Sequence, residues 1–162
     1  MIQLAKRARS LVLAMTVAGV LAYGAAAAVT VADVIGRQFG MPIEGVVDLV
    51  QLFVMAGAWL VMPYAFMEAT HVSVDFLLAA LPRSVTQLLV IVSALVTLAL
   101  LAFMLWQGFL TFRTRTMFGD RSQQLGIPIA WYWYPLLVGL AASMIGATLR
   151  FLNALRQEAP NE

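Results

Sequence analysis

The sequence predicts an all-α integral membrane protein: four transmembrane helices with a short interfacial helix between the second and third, forming one membrane domain over residues 1–162. Three observations predict it. Almost every charge lies outside four long apolar stretches, Leu11 to Ile35, Ile43 to Met67, Val85 to Phe112 and Pro128 to Leu152. The chain is 62% hydrophobic and 11% charged, with a mean hydropathy of +0.89, whereas about a quarter of a soluble domain is charged. No stretch alternates with period two as a barrel strand would, so the backbone must satisfy its hydrogen bonds in lipid as helix.

Each stretch is long enough to span. A helix rises about 1.5 Å per residue and must cross about 30 Å of hydrocarbon, so ~20 apolar residues suffice. The first could be mistaken for a secretory leader, because Lys6, Arg7 and Arg9 precede an apolar run containing Ala25 to Ala28. Its apolar character continues through Val29, Val31 and Val34, well past the length of a leader's hydrophobic region, and the expectation is an uncleaved helix. Pro63 in the second stretch and Pro135 in the fourth should bend or interrupt their helices locally.

Basic residues set the expected orientation. With the N-terminus cytoplasmic, that side carries Lys6, Arg7, Arg9, Arg83, Arg150 and Arg156, and the other carries Arg37, Arg113, Arg115 and Arg121. This bias, and the cluster before the first helix, favour both termini inside. Trp131, Tyr132, Trp133 and Tyr134 then fall in the outer headgroup belt, which Trp106 and Phe109 approach from the end of the third helix.

Between the second and third helices, Ser73 can cap a helix carrying Asp75 in its first turn and stopped by Pro82, which predicts an interfacial helix over 73–81. Glu68, His71 and Asp75 would share one face of a continuous helix, but the outer two lie about 10 Å apart along its axis and cannot reach one ion. They read as a polar face at the membrane surface. A haem held by two histidines is excluded, since His71 is the sole histidine, and the absence of cysteine removes disulfides, thiolate metal sites and thiol nucleophiles. No catalytic, substrate-binding or metal site and no cofactor is expected. The net charge of +2 is scattered near helix ends and gives no nucleic-acid footprint.

Asp33 and Arg37 form an i, i+4 pair of opposite sign at the end of the first helix, and Glu44 and Asp48 lie one turn apart at the start of the second. None is near the bilayer midplane, where a proton or sodium path needs its groups. They are expected to form a paired, partly solvated cluster that fixes the turn between the helices. Small residues recur at every fourth position as Ala14, Ala18, Ala22 and Ala26 in the first helix and Gly139, Ser143 and Ala147 in the fourth. Such seams let helices approach closely, one inside the bundle and the other towards a partner, or both inside.

The order and spacing of several elements resemble one family. They are the Arg37-bearing end of the first helix; Gly45-Val46-Val47-Asp48-Leu49 leading into the second; His71-Val72-Ser73-Val74-Asp75 and Leu81-Pro82 after it; and Ser122-Gln123-Gln124-Leu125-Gly126-Ile127-Pro128-Ile129-Ala130-Trp131 leading into the fourth. Together they resemble the small membrane subunit, the DctQ-like small permease, of tripartite ATP-independent periplasmic (TRAP) transporters. Asp48 stands where the family more often has Glu, which keeps the acidic role. The resemblance implies a non-catalytic inner-membrane subunit of a sodium-driven carrier of organic anions. Its implied partners are a large multi-helix permease, which carries the substrate and sodium sites, a periplasmic substrate-binding protein, and membrane lipids. Arg37, Arg113, Arg115 and Arg121 are then candidates to meet an acidic patch on the binding protein or lipid headgroups. The residues alone leave open an anchor subunit of a redox complex and a free-standing lipid-acting protein.

Overall fold

The computed structural model describes residues 2–68 and 83–157. These fold as four helices, α1 (Ile2–Gln38), α2 (Val46–Glu68), α3 (Arg83–Met117) and α4 (Ala130–Gln157), each containing a segment long and apolar enough to cross a membrane. The expected interfacial helix 73–81, with His71 and Asp75, lies outside the described residues. Helices α1 and α3 continue beyond their apolar stretches, to Gln38 and Met117, because Arg37, Gln38, Arg113 and Arg115 sustain helix and no left-handed residue interrupts it until Gly40 and Gly119. Helix α2 starts at Val46 and not Ile43, because Gly45 takes a left-handed φ of 73° that interrupts helical geometry just before it.

The helices form a row in the order α1, α2, α4, α3. Helix α2 packs against both α1 and α4, α3 packs against α4, and α1 barely touches α4. In α1 the buried residues Val12, Gly19, Ala26 and Asp33 recur every seven positions. A seven-residue repeat averages 3.5 per turn, the period that keeps two helices in contact with a slight left-handed wrap. The every-fourth alanines do not keep that register. Four residues advance about 400° around a helix, so such a row drifts about 40° per step. Accordingly Ala26 is buried and Ala22 half-buried, while Ala18 and Ala14 face outward.

Glycine sets the spacing on both sides of α2. A Cβ on Gly19 would lie 2.8 Å from Val61 Cγ2 and 3.0 Å from the Gly57 carbonyl oxygen, and one on Gly57 would lie 2.8 Å from the Tyr23 ring. Tyr23 therefore lies across Gly57, one turn beyond the point where Gly19 meets α2. On the other side, a Cβ on Gly139 would overlap the backbone carbonyl of Trp59. That carbonyl is the one whose helical partner would be the N–H of residue 63, and residue 63 is a buried proline. Pro63 leaves α2 continuous but frees the Trp59 oxygen, and the Gly139 Cα of α4 closes over it in the manner of a Cα–H···O contact. Ser143 is fully buried and donates to the Gly139 carbonyl at 2.8 Å, Gly146 faces Pro63, and Ala147 is half-buried. Pro135, near the start of α4, likewise leaves its helix unbroken.

Helix α3 holds α4 through larger side chains. Leu101 is its buried residue among those described, Gly108 faces Leu136, and Phe112 tilts against Tyr134 with ring centroids 5.6 Å apart. The other faces of α1 and α3 expose large apolar side chains, as surfaces bounded by lipid or by another membrane protein do.

Gly139→Ala should destabilise the fold by about 1–3 kcal/mol, because backbone and not a yielding side chain opposes the new methyl. Ala14→Leu should leave the thermal unfolding of the isolated chain unchanged. Detergent-phase unfolding curves check both, and an unaltered Gly139→Ala midpoint would contradict the close approach.

Candidate functional site

The α1–α2 turn and the α3–α4 loop lie at the same end of the row, and the polar side chains with defined partners concentrate there. Both helices that enter this end stop in the same way. At the end of α1, Gly40 has φ 74°, its N–H donates to the Arg37 carbonyl (3.2 Å), and the Met41 N–H donates to the Gly36 carbonyl (2.8 Å). At the end of α3, Gly119 has φ 67°, its N–H donates to the Thr116 carbonyl (3.1 Å), and the Asp120 N–H donates to the Arg115 carbonyl (3.2 Å). These are Schellman motifs, which satisfy carbonyls the helix leaves open and turn the chain sharply. A Cβ at either glycine would be strained by the left-handed φ.

Two carboxylates then hold the returning chain. Asp33 accepts from Arg37 Nε at 2.8 Å with one oxygen and from the Ile43 N–H at 2.9 Å with the other. The pair lies near the C-terminus of α1, where the helix dipole favours Arg37 and disfavours Asp33, so Asp33 depends on these partners. Its side chain is 9% exposed and that of Arg37 58%, so the acid is covered while the guanidinium reaches outward.

Asp48 acts on a different segment. From the first turn of α2, where the dipole favours an acid, its Oδ2 accepts from the backbone N–H groups of Gln124 (2.9 Å) and Leu125 (2.7 Å). The Ser122 hydroxyl lies beside the same carboxylate and accepts from the Ile127 N–H at 2.9 Å. The buried Tyr132 hydroxyl donates to the Asp48 backbone carbonyl at 3.0 Å. Leu125 packs over the Cα of Gly45 where any side chain would collide with it, and Gly45 also needs its positive φ. The loop closes on itself through Ser122 N–H to the Ile127 carbonyl (2.9 Å) and Ile129 N–H to the Asp120 carbonyl (3.0 Å), with Gly126 turning at φ 66°.

The expected single cluster is therefore two clasps. Asp33 and Arg37 fix the α1–α2 turn, whereas Asp48 reaches across the row to the α3–α4 loop. Glu44 is exposed and joins neither. Among the arginines, Arg115 pairs with Asp120 at 3.2 Å, Arg121 donates to the Gly126 carbonyl at 3.2 Å, and Arg113 is exposed with no ion pair to the described residues. The aromatic run divides by face: Trp131 and Tyr134 point outward, Trp133 is half-buried and Tyr132 is buried against Asp48. Glu68 ends α2, away from this site. Gly40, Gly119, the bond of Tyr132 to the Asp48 carbonyl and the contacts of Gly19 and Gly57 escaped the sequence reading. A glycine following a helix that carries basic residues in its last turn was the available signal for the first two.

This arrangement performs structural chemistry: it replaces water around backbone amides at a membrane boundary and locks two loops into one surface. Asp48→Ala should expose Gln124 and Leu125 to faster amide exchange and cost roughly 1–2 kcal/mol, since two partly buried donors lose a charged acceptor. Asp33→Ala should release Ile43 and leave Gln124 protected. Exchange mass spectrometry on the full chain separates the two, and coupled loss in both variants would show one cluster in place of two.

Comparison with curated proteins gave no match. Residues 26–157 match the family described as tripartite ATP-independent periplasmic transporters, DctQ component. The match runs from the middle of α1 to the end of α4 and so takes in both clasps, the turn glycines and the α2 packing faces. The chain thus belongs to the DctQ component family of tripartite ATP-independent periplasmic transporters, as a non-catalytic, multi-pass inner-membrane transporter subunit.

Proposed function

We propose that this chain is the small permease of a sodium-driven transporter for an organic anion, a fixed wall against which a large permease subunit moves. One observation supports this above the others. In the described helices every Asp, Glu, Lys and Arg falls towards a helix end, and the central turns carry none. Carriers place substrate and ion ligands near the midplane, so coupling and substrate recognition belong to the partner. The outward faces of α1 and α3 offer it surface, including Ala14, Ala18 and the open Gly24 on α1.

In the same reading both termini are cytoplasmic and the clasped loop end faces the periplasm, where it helps dock the substrate-binding protein. Rigid loops suit docking because little order must be gained on contact. Arg113 is the best candidate to steer an acidic partner, since Arg115 and Arg37 already face carboxylates and Arg121 is held by its own loop.

The chain should copurify with a multi-helix permease. Cysteine placed at Gln123 should react with a membrane-impermeant thiol reagent in intact spheroplasts, and cysteine at Ser10 should not; the opposite labelling reverses the orientation. Arg113→Glu should slow uptake several-fold at limiting binding protein and low salt, with the complex still assembled. Uptake equal to wild type under those conditions removes Arg113 from docking.

A further inference from the structure

The row order of the helices leaves a wedge. Helices α2 and α3 both pack on α4 but not along one another, and at the loop end the space between them is an open cleft of about 390 Å³. Its walls change character with depth. Arg115 and Gln51 stand at the rim, in the last turn of α3 and the second turn of α2. Thr111 and Met55 lie one turn deeper, about 6 Å further along each helix. Ile129 and Trp133 complete the wall, with Tyr132 at the base. The apolar lining prevails, and the polar groups gather at the end where the helices leave the membrane.

A wedge open to the bilayer does not stay empty, because a void forfeits the dispersion contacts of every atom lining it. Its occupant must be apolar at the Met55 and Trp133 level and carry an acceptor-rich anionic group at the Arg115 level. Arg115 engages Asp120 through one terminal nitrogen, and its side chain is 56% exposed, so the rest of its donor fork remains open to the cleft. We infer that this cleft holds one phospholipid, its phosphate on the Arg115 guanidinium beside Gln51 and the upper part of an acyl chain between Met55 and Trp133. The site belongs to the small subunit itself and does not rest on which side of the membrane the loop end faces. Bound there, the lipid would brace α3 against α2, which among the described residues are linked chiefly through α4.

The test uses the full-length chain, with any partner that copurifies, reconstituted in nanodiscs of equal parts phosphatidylethanolamine and phosphatidylglycerol and then released into mild detergent. Native mass spectrometry counts retained phospholipid. Wild type and Arg113→Gln should keep one per chain, whereas Arg115→Gln and Met55→Trp should retain it several-fold less often, the latter by filling the cleft. Brominated acyl chains should quench part of the tryptophan emission, and that part should vanish in Trp133→Phe. Equal retention in wild type and Arg115→Gln, or equal loss in Arg113→Gln and Arg115→Gln, overturns the inference, the second by showing general headgroup attraction. Wild type free of lipid and unquenched would mean that protein fills the wedge, and also overturns it. Should Met55→Trp fail to fold, the comparison of the two arginine variants decides.

Discussion

Lipid supplies no hydrophobic force to press one transmembrane helix onto another, so this fold depends on how closely α2 can be approached from either side. The Trp59 carbonyl is the decisive point. Pro63 cannot donate to it, and an open carbonyl within hydrocarbon is costly. Gly139 removes the exposure by bringing its bare Cα against the oxygen, a contact no larger residue allows. The proline that would weaken α2 alone thus becomes the reason α4 docks where it does. The same helix offers Gly57 to Tyr23 on its other face, so α2 is gripped twice by contacts that tolerate no added carbon.

Once α2 is fixed, the ends must be satisfied. At the loop end the chain makes two sharp turns near the membrane boundary, where amides cannot rely on full hydration. Asp33 and Asp48 solve this with different reach: one binds an amide ten residues ahead, the other binds amides more than seventy residues ahead. Because Asp48 stands on α2 and its partners on the loop before α4, the carboxylate ties the two helices that Trp59 and Gly139 already join. Packing in the span and hydrogen bonding at its edge therefore reinforce the same pair.

The span count and helical class were legible because hydropathy over ~20 residues integrates away local detail. The turn motif around Gly45 and Asp48 was legible as a family pattern, yet its physical role was not. Sequence proximity grouped Asp48 with Glu44 and Asp33, while its actual partners are Gln124 and Leu125. A carboxylate that binds backbone amides leaves no complementary side chain to read, so the pairing is silent in the sequence. The alanine row divides between the bundle and the outer face for a geometric reason, since a four-residue repeat drifts off a face that a seven-residue repeat keeps. Gly139 is buried where it meets the Trp59 carbonyl, and Ser143, one turn on, is buried beside it with its hydroxyl satisfied by the Gly139 carbonyl.

These features fit the proposed role of a support better than that of a carrier. A moving domain needs alternative packings of similar energy, as sliding or rocking helices have. The α2 contacts offer none: displacing α4 along α2 by one turn would bring Pro135 or Ser143 in place of Gly139 against the Trp59 carbonyl, and displacing the loop would strip Asp48 of two amides at once. The stiffness is confined to the α1, α2 and α4 side of the row. Among the described residues helix α3 is held chiefly by aromatic and leucine contacts to α4, and much of its remaining surface is apolar and open. Surface open to a membrane partner or to lipid thus lies at α3 and the outer face of α1, while the loop end is held by the hydrogen bonds of Asp33 and Asp48. That division, fixed geometry at one surface and permissive packing along the sides, is what the proposed role of a static scaffold beside a moving permease would require.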